Sequence, residues 1–93
     1  MITAFVLVHT AADRIPETAQ AIADLEGVAE VYSCAGDVDL IAVVKVTEHD
    51  RLADVIAGGL SKVEGVRSTD THIAFRSYSR RDIDAAFSLG LGA

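Results

Sequence analysis

Leu25-Glu26-Gly27-Val28 and Val63-Glu64-Gly65-Val66 nearly repeat each other, and the same offset carries back through the residues before them. Ala4-Phe5-Val6 aligns with Ala42-Val43-Val44, Val8 with Val46, Ala19 with Ala57 and Ile22 with Leu60, all without a gap. One unit is used twice: apolar strand, amphipathic helix, Glu-Gly-Val turn, strand. Two β-α-β units in so short a chain predict an α+β fold of the split βαβ, ferredoxin-like kind, βαββαβ, with a four-stranded antiparallel sheet. Ninety-three residues make one domain. Residues 1–93 are read as that domain, with a core over 1–78 and a tail over 79–93.

Ile2 to Val8 is a continuous apolar run, as a strand buried on both faces requires. The first helix opens at Asp13-Arg14-Ile15-Pro16-Glu17, with Asp13 as N-cap and Pro16 in the first turn, where a missing N–H is harmless. Ile15, Ala19, Ile22 and Leu25 form its apolar stripe, and Gly27 is placed to end it in a left-handed conformation. Val28 to Cys34 alternates, Val28, Glu30, Tyr32 and Cys34 facing one way, and predicts a second strand. Ala35-Gly36-Asp37-Val38 turns the chain into a third strand, Asp39 to Val46. A second helix is expected from Asp50 to Val63, although Gly58-Gly59 inside it costs about 1 kcal/mol per glycine. That pair points to a close backbone approach or to loosened last turns. Val66 to Ser77 completes the strands. Ser79-Arg80-Arg81-Asp82 resembles a capping box opening a short C-terminal helix whose stripe is Ile83, Ala86, Phe87 and Leu89.

Both faces of the central strands are apolar. Ala4, Val6 and Val8 oppose Thr3, Phe5 and Leu7, and Leu40, Ala42, Val44 and Val46 oppose Ile41, Val43 and Lys45. The helices of this fold cover one face only, and an antiparallel sheet with a wet face alternates apolar with polar. A bare face this apolar predicts a homodimer with sheets packed face to face, the dimeric α+β barrel arrangement.

Eight Lys and Arg against fourteen Asp and Glu give a net charge of −6, which argues against direct nucleic-acid binding. The single cysteine, Cys34, excludes an internal disulfide, and its nearest charged neighbours, Asp37 and Asp39, would not activate a thiol. The apolar N-terminus is too short to span a bilayer, so no membrane partner is expected and a cytoplasmic location is the default. His9, His49 and His72 are scattered; His9 and His72 could approach at strand ends, but no ligand spacing surrounds them. No nucleophile elbow, zincin, phosphate-loop or dinucleotide pattern occurs. No catalytic residue, metal or cofactor is expected. Tyr32 and Tyr78 read as interface or edge aromatics.

Two polar clusters interrupt the apolar strands. Gly36-Asp37-Val38-Asp39 reads either as a hairpin turn whose Asp side chains satisfy local N–H groups, or as a loop whose N–H groups hold a carboxylate and whose acids hold an ammonium. Ser68-Thr69-Asp70-Thr71 reads either as a solvated strand edge or as hydroxyls aimed at a small polar ligand.

At these residues the chain resembles the effector-sensing domain of the Lrp/AsnC family of transcriptional regulators, the RAM domain. The matching run is Gly27-Val28, then Gly36-Asp37-Val38-Asp39, Leu40 to Val46, Gly65-Val66 and Thr69-Asp70-Thr71-His72-Ile73. The resemblance implies dimers through sheet faces, assembly into rings, commonly octamers, and an amino acid or related effector bound between subunits. By position it nominates Gly36, Asp37, Val38, Asp39, Thr69 and Thr71 as ligand-binding residues. Many members have an aromatic residue where Val38 stands, and typical members carry an N-terminal helix-turn-helix domain, whereas this chain starts at the first sensor strand. The expectation is a stand-alone sensing module that mixes with full-length regulators of the family. The alternative is a small dimeric α+β barrel enzyme, a cofactor-free monooxygenase or isomerase; an inward stripe of Val, Ile, Leu and Ala speaks against it.

Overall fold

In the computed structural model, which describes residues 1–80, the two copies of the repeat interleave. The elements run β1 (Ile2–Thr10), α1 (Ile15–Ala23), β2 (Val28–Ser33), β3 (Leu40–Val46), α2 (Asp50–Ile56) and β4 (Val66–Ile73). The strands form one antiparallel sheet in the order β2-β3-β1-β4. This is the ferredoxin-like α+β fold that the repeat predicts, with β1 and β3 as the central pair.

Alternation decides the core. Ala4, Val6, Val8, Leu40, Ala42 and Val44 point under the helices and are fully buried. Ile22 from α1, Leu52 and Val55 from α2, and Leu60 from a 3-10 turn (Leu60–Lys62) close over them. The turns of the repeat lock the halves together. Gly27 sits at φ +96°, and a Cβ added there would lie 2.6 Å from Val55 of the other half's helix. Gly65 sits at φ +99°, where a Cβ would lie 2.2 Å from the Thr18 hydroxyl of α1. Thr18 is buried and donates that hydroxyl to the Glu64 carbonyl at 3.2 Å.

Several sequence expectations change. Asp13 is not the N-cap of α1. It lies in a 3-10 turn (Ala12–Arg14), and Arg14 occupies the cap position without a side-chain cap bond. Pro16 in the first turn removes one N–H that a cap would otherwise satisfy. α2 stops at Ile56, not Val63. Gly58 bonds back to the Ala53 carbonyl at 3.0 Å, and the chain resumes as the 3-10 turn that carries Leu60 into the core. A Cβ added at Gly59 would meet Leu25 at an ordinary 3.5 Å, so of the two expectations for the glycine pair it is the loosened last turns that the structure shows. β2 does not alternate strictly. The register shifts between Val28, opposite Val44, and Glu30, opposite Val43. The bulge puts Val28 on the core side together with Val31, and leaves Glu30 and Tyr32 on the other face.

β4 ends at Ile73 rather than Ser77 for a geometric reason. Ile73 pairs with Ala4, and β1 starts at Ile2, so a strand continued past Ala74 soon runs out of partner. The last rung is Ala74 N–H to the Thr3 carbonyl, 2.9 Å. The expected C-terminal helix, Ile83 to Leu89 included, lies outside the described residues. Among the described residues no helix is long and apolar enough to cross a membrane.

Candidate functional site

The Gly36–Asp39 loop joins β2 to β3 at the end of the sheet where β1 finishes. Gly36 takes φ +128° with open space around it, so backbone conformation alone selects glycine there. Gly36 and Asp37 are exposed; Val38 and Asp39 are half-buried. Asp39 ties the loop to β1. Its N–H bonds to the Val8 carbonyl at 3.1 Å, its carbonyl accepts from Cys34 N–H at 2.9 Å, and its Oδ2 accepts from Thr10 N–H at 2.9 Å. The side chain thus satisfies an N–H group, but on a strand distant in sequence rather than within the turn.

Thr69 lies opposite Val8 on the other side of β1, and Thr71 opposite Val6. Leu40, Val8 and Thr69 therefore share one transverse row, spanning two strand spacings, about 10 Å, and Asp39 directly precedes it in the chain. Thr71 is one pleat farther along. By alternation both threonines face the helix side of the edge strand; Thr69 is half-buried and Thr71 exposed. The structure brings the loop and Thr69 to one end of the sheet and sets Thr71 about 7 Å away along the strand. Beside Asp39, Thr10 is buried, and its hydroxyl has no hydrogen-bond partner among the described residues.

His9 and His72 do not meet. His9 lies opposite Ser68 and His72 opposite Phe5, about 13 Å apart along β1. His72 Nε2 instead lies 3.1 Å from the Asp70 carboxylate on the exposed edge strand. Among the described residues no group of three His, Cys, Asp or Glu side chains could hold a metal ion.

The face without helices carries a second feature. A groove of about 670 Å3 runs over Thr3, Phe5, Tyr32, Val43 and Lys45 and is flanked by residues 74–78. The Tyr32 hydroxyl donates to the Glu30 carboxylate. That bond, and then the carboxylate's negative charge, hold the Tyr32 phenol above its ordinary pKa of 10.0. Sequence reasoning picked out Tyr32 and Tyr78 but placed Phe75 inside a strand. The signal for Phe75 lies in the register, which would set it opposite Ile2, the first residue of β1, where the pairing ends.

Comparison with known proteins agrees with this architecture. Residues 3–83 match the family model of the Lrp/AsnC ligand binding domain. The crystal structure of TTHA0845 from Thermus thermophilus superposes with a TM-score of 0.81 at 46% identity, covering 86% of this chain and 100% of that one. The HTH-type transcriptional regulator LrpA of Pyrococcus horikoshii is 32% identical over 59 residues, 63% of this chain and 42% of that protein. This chain thus matches less than half the length of that curated relative. The transcriptional regulator NMB0573 of Neisseria meningitidis, solved as a complex with L-Met, shares the fold at a TM-score of 0.74 and 16% identity, over 85% of this chain and 53% of that one. With the family model spanning nearly the whole sequence and the same β-α-β pair in the solved relatives, the chain belongs to the Lrp/AsnC family, as a ligand-binding domain.

Proposed function

We propose that this chain is a regulatory module that binds a small effector, an amino acid or a close chemical relative, rather than an enzyme. The observation that carries the reading is the match to the Lrp/AsnC ligand binding domain over residues 3–83. The bound L-Met of the Neisseria meningitidis regulator supports the ligand class. The proposed contacts are Gly36, Asp37, Val38 and Asp39 on one side of β1, with Thr69 and Thr71 on the other. Carboxylates suit an ammonium group, and hydroxyls suit either end of a zwitterion. The module dimerises through its helix-free sheet face, and dimers associate further into a ring. An effector that binds one assembly more tightly than another shifts the population by that difference, which is how binding reaches a full-length regulator in a mixed assembly.

Titration calorimetry against the twenty amino acids, with sedimentation of the same samples, tests this. Heat with one ligand, together with a change of assembly, supports sensing; no heat with any of them rejects it. Asp37→Asn and Thr71→Val probe the site without disturbing the fold, because both residues are exposed. Both are expected to weaken binding about tenfold or more through lost polar contacts. Wild-type affinity in the double variant would remove these residues from the site.

A further inference from the structure

We propose that Thr10 and Arg14 form a carboxylate subsite of the effector pocket, so that an amino-acid effector lies with its ammonium on Asp39 and its carboxylate on this pair. The inference rests on the effector-binding reading above and supplies the cation that the loop and the threonines lack. Two buried side-chain atoms have no hydrogen-bond partner among the described residues, the Thr10 hydroxyl and Arg14 Nε. Both residues stand at the same end of the sheet. Thr10 pairs with Val66, the Ala11 N–H bonds to the Gly65 carbonyl at 2.9 Å, and the Arg14 N–H bonds to the Ala11 carbonyl at 3.0 Å. The Arg14 Cβ lies 3.5 Å from where a Cβ on Gly65 would stand.

Native folds leave few buried polar atoms unpaired, so two gathered around one turn call for a common partner. Their chemistry selects it. A guanidinium donates and cannot accept, and a hydroxyl donates as well, so the missing group is an acceptor. A carboxylate takes both bonds at once, and its two oxygens match the planar fork of arginine. An ammonium group would leave Arg14 unsatisfied.

Arg14 is loosely held where it stands. Its ion pair with Glu64 is a contact of 3.8 Å between side chains 42% and 85% exposed, and pairs of this kind contribute little. Thr10 is 7% exposed, so the arginine reaches solvent while the hydroxyl behind it stays covered. A turn of Arg14 away from Glu64 toward a better acceptor admits the ligand. Asp39 completes the arrangement. Its Oδ2 accepts from the Thr10 amide at 2.9 Å, which sets an acid beside Thr10 and keeps the second oxygen for an ammonium group. Because β1 runs between β3 and β4, the two charges of a zwitterion meet opposite charges on either side of Thr10.

The test titrates the full chain with each of the twenty L-amino acids and with the matching carboxamides, which keep the ammonium and lose the carboxylate. The unaltered chain is expected to bind an acid about tenfold or more tighter than its amide. Arg14→Gln is expected to weaken the acid by about tenfold or more and to leave the amide unchanged, so that the preference disappears. Arg14→Lys keeps the charge without the Nε donor and is expected to lose most of the preference too. Thr10→Val is expected to weaken the acid about threefold or more, in a chain whose urea midpoint matches or exceeds that of the wild type. That midpoint, with the circular dichroism spectra of the Arg14 variants, separates a lost contact from a lost fold. Equal binding of acid and amide by the unaltered chain, or an undiminished preference in any of the three variants, overturns the subsite while effector binding stands. No heat from any of these ligands overturns both.

Discussion

Asp39 does two jobs that its sequence position does not announce. It belongs to the proposed effector loop, and its Oδ2 holds the Thr10 amide of β1. Removing the carboxylate orphans an N–H in a half-buried setting, so Asp39→Ala is expected to destabilise the fold by about 1.5–3 kcal/mol in urea unfolding, with Asp39→Asn losing less. Lost effector binding in Asp39→Ala would therefore mix two causes, whereas Asp37→Asn separates them. Thr10 gives the opposite case. Its hydroxyl is buried and has no partner among the described residues. Thr10→Val keeps the shape and removes an unsatisfied polar atom, so its stability is expected to equal or exceed wild type by up to about 1 kcal/mol. A clear loss on urea titration would show that the hydroxyl is bonded in solution.

Among the elements, the break in α2 carries the sharpest prediction. Helix propensity alone favours alanine over glycine at an interior position. At Gly58, however, an added Cβ would lie 2.5 Å from the Asp54 carbonyl oxygen, a backbone atom that cannot swing aside. Gly58→Ala is expected to lower thermal stability, by about 1 kcal/mol or more at the midpoint; a rise would mean that α2 extends through the glycine pair in solution. The same element shows what a sequence can and cannot reveal. The strands, the helices and their order were legible because the repeat doubles each signal and apolar runs mark β1 and β3. The end of α2 was not, because the tertiary demand that Leu60 enter the core overrides local periodicity. The bulge near Ala29 was invisible as well, since one inserted residue leaves no compositional mark yet reverses which side of β2 faces inward. The limit of β4 lay in a pairing that only the register of β1 reveals. For the candidate site, the motif located the loop and the threonines. The bond from Thr10 to Asp39, which brings the loop to the end of β1, spans 29 residues and has no local signature.

On the scale of the whole molecule, the two faces of the sheet predict two different failures. Val44 is fully buried beneath the helices, so Val44→Asp is expected to unfold the chain. Phe5 is 41% exposed on the opposite face, so Phe5→Glu is expected to stay folded, by circular dichroism, and to sediment as a monomer. A dimeric Phe5→Glu protein would place the partner elsewhere.

The crossed seating of Gly27 on α2 and of Gly65 on α1 has a consequence for how the chain comes apart. β1 runs between β3 and β4, and β3 between β1 and β2, so each repeat supplies the neighbours of the other. Cleaved within the Gly36 hairpin, the two peptides would each be random coil alone and would regain structure only as a complemented pair. Amide exchange in the intact protein would then report one cooperative opening across both repeats, not two.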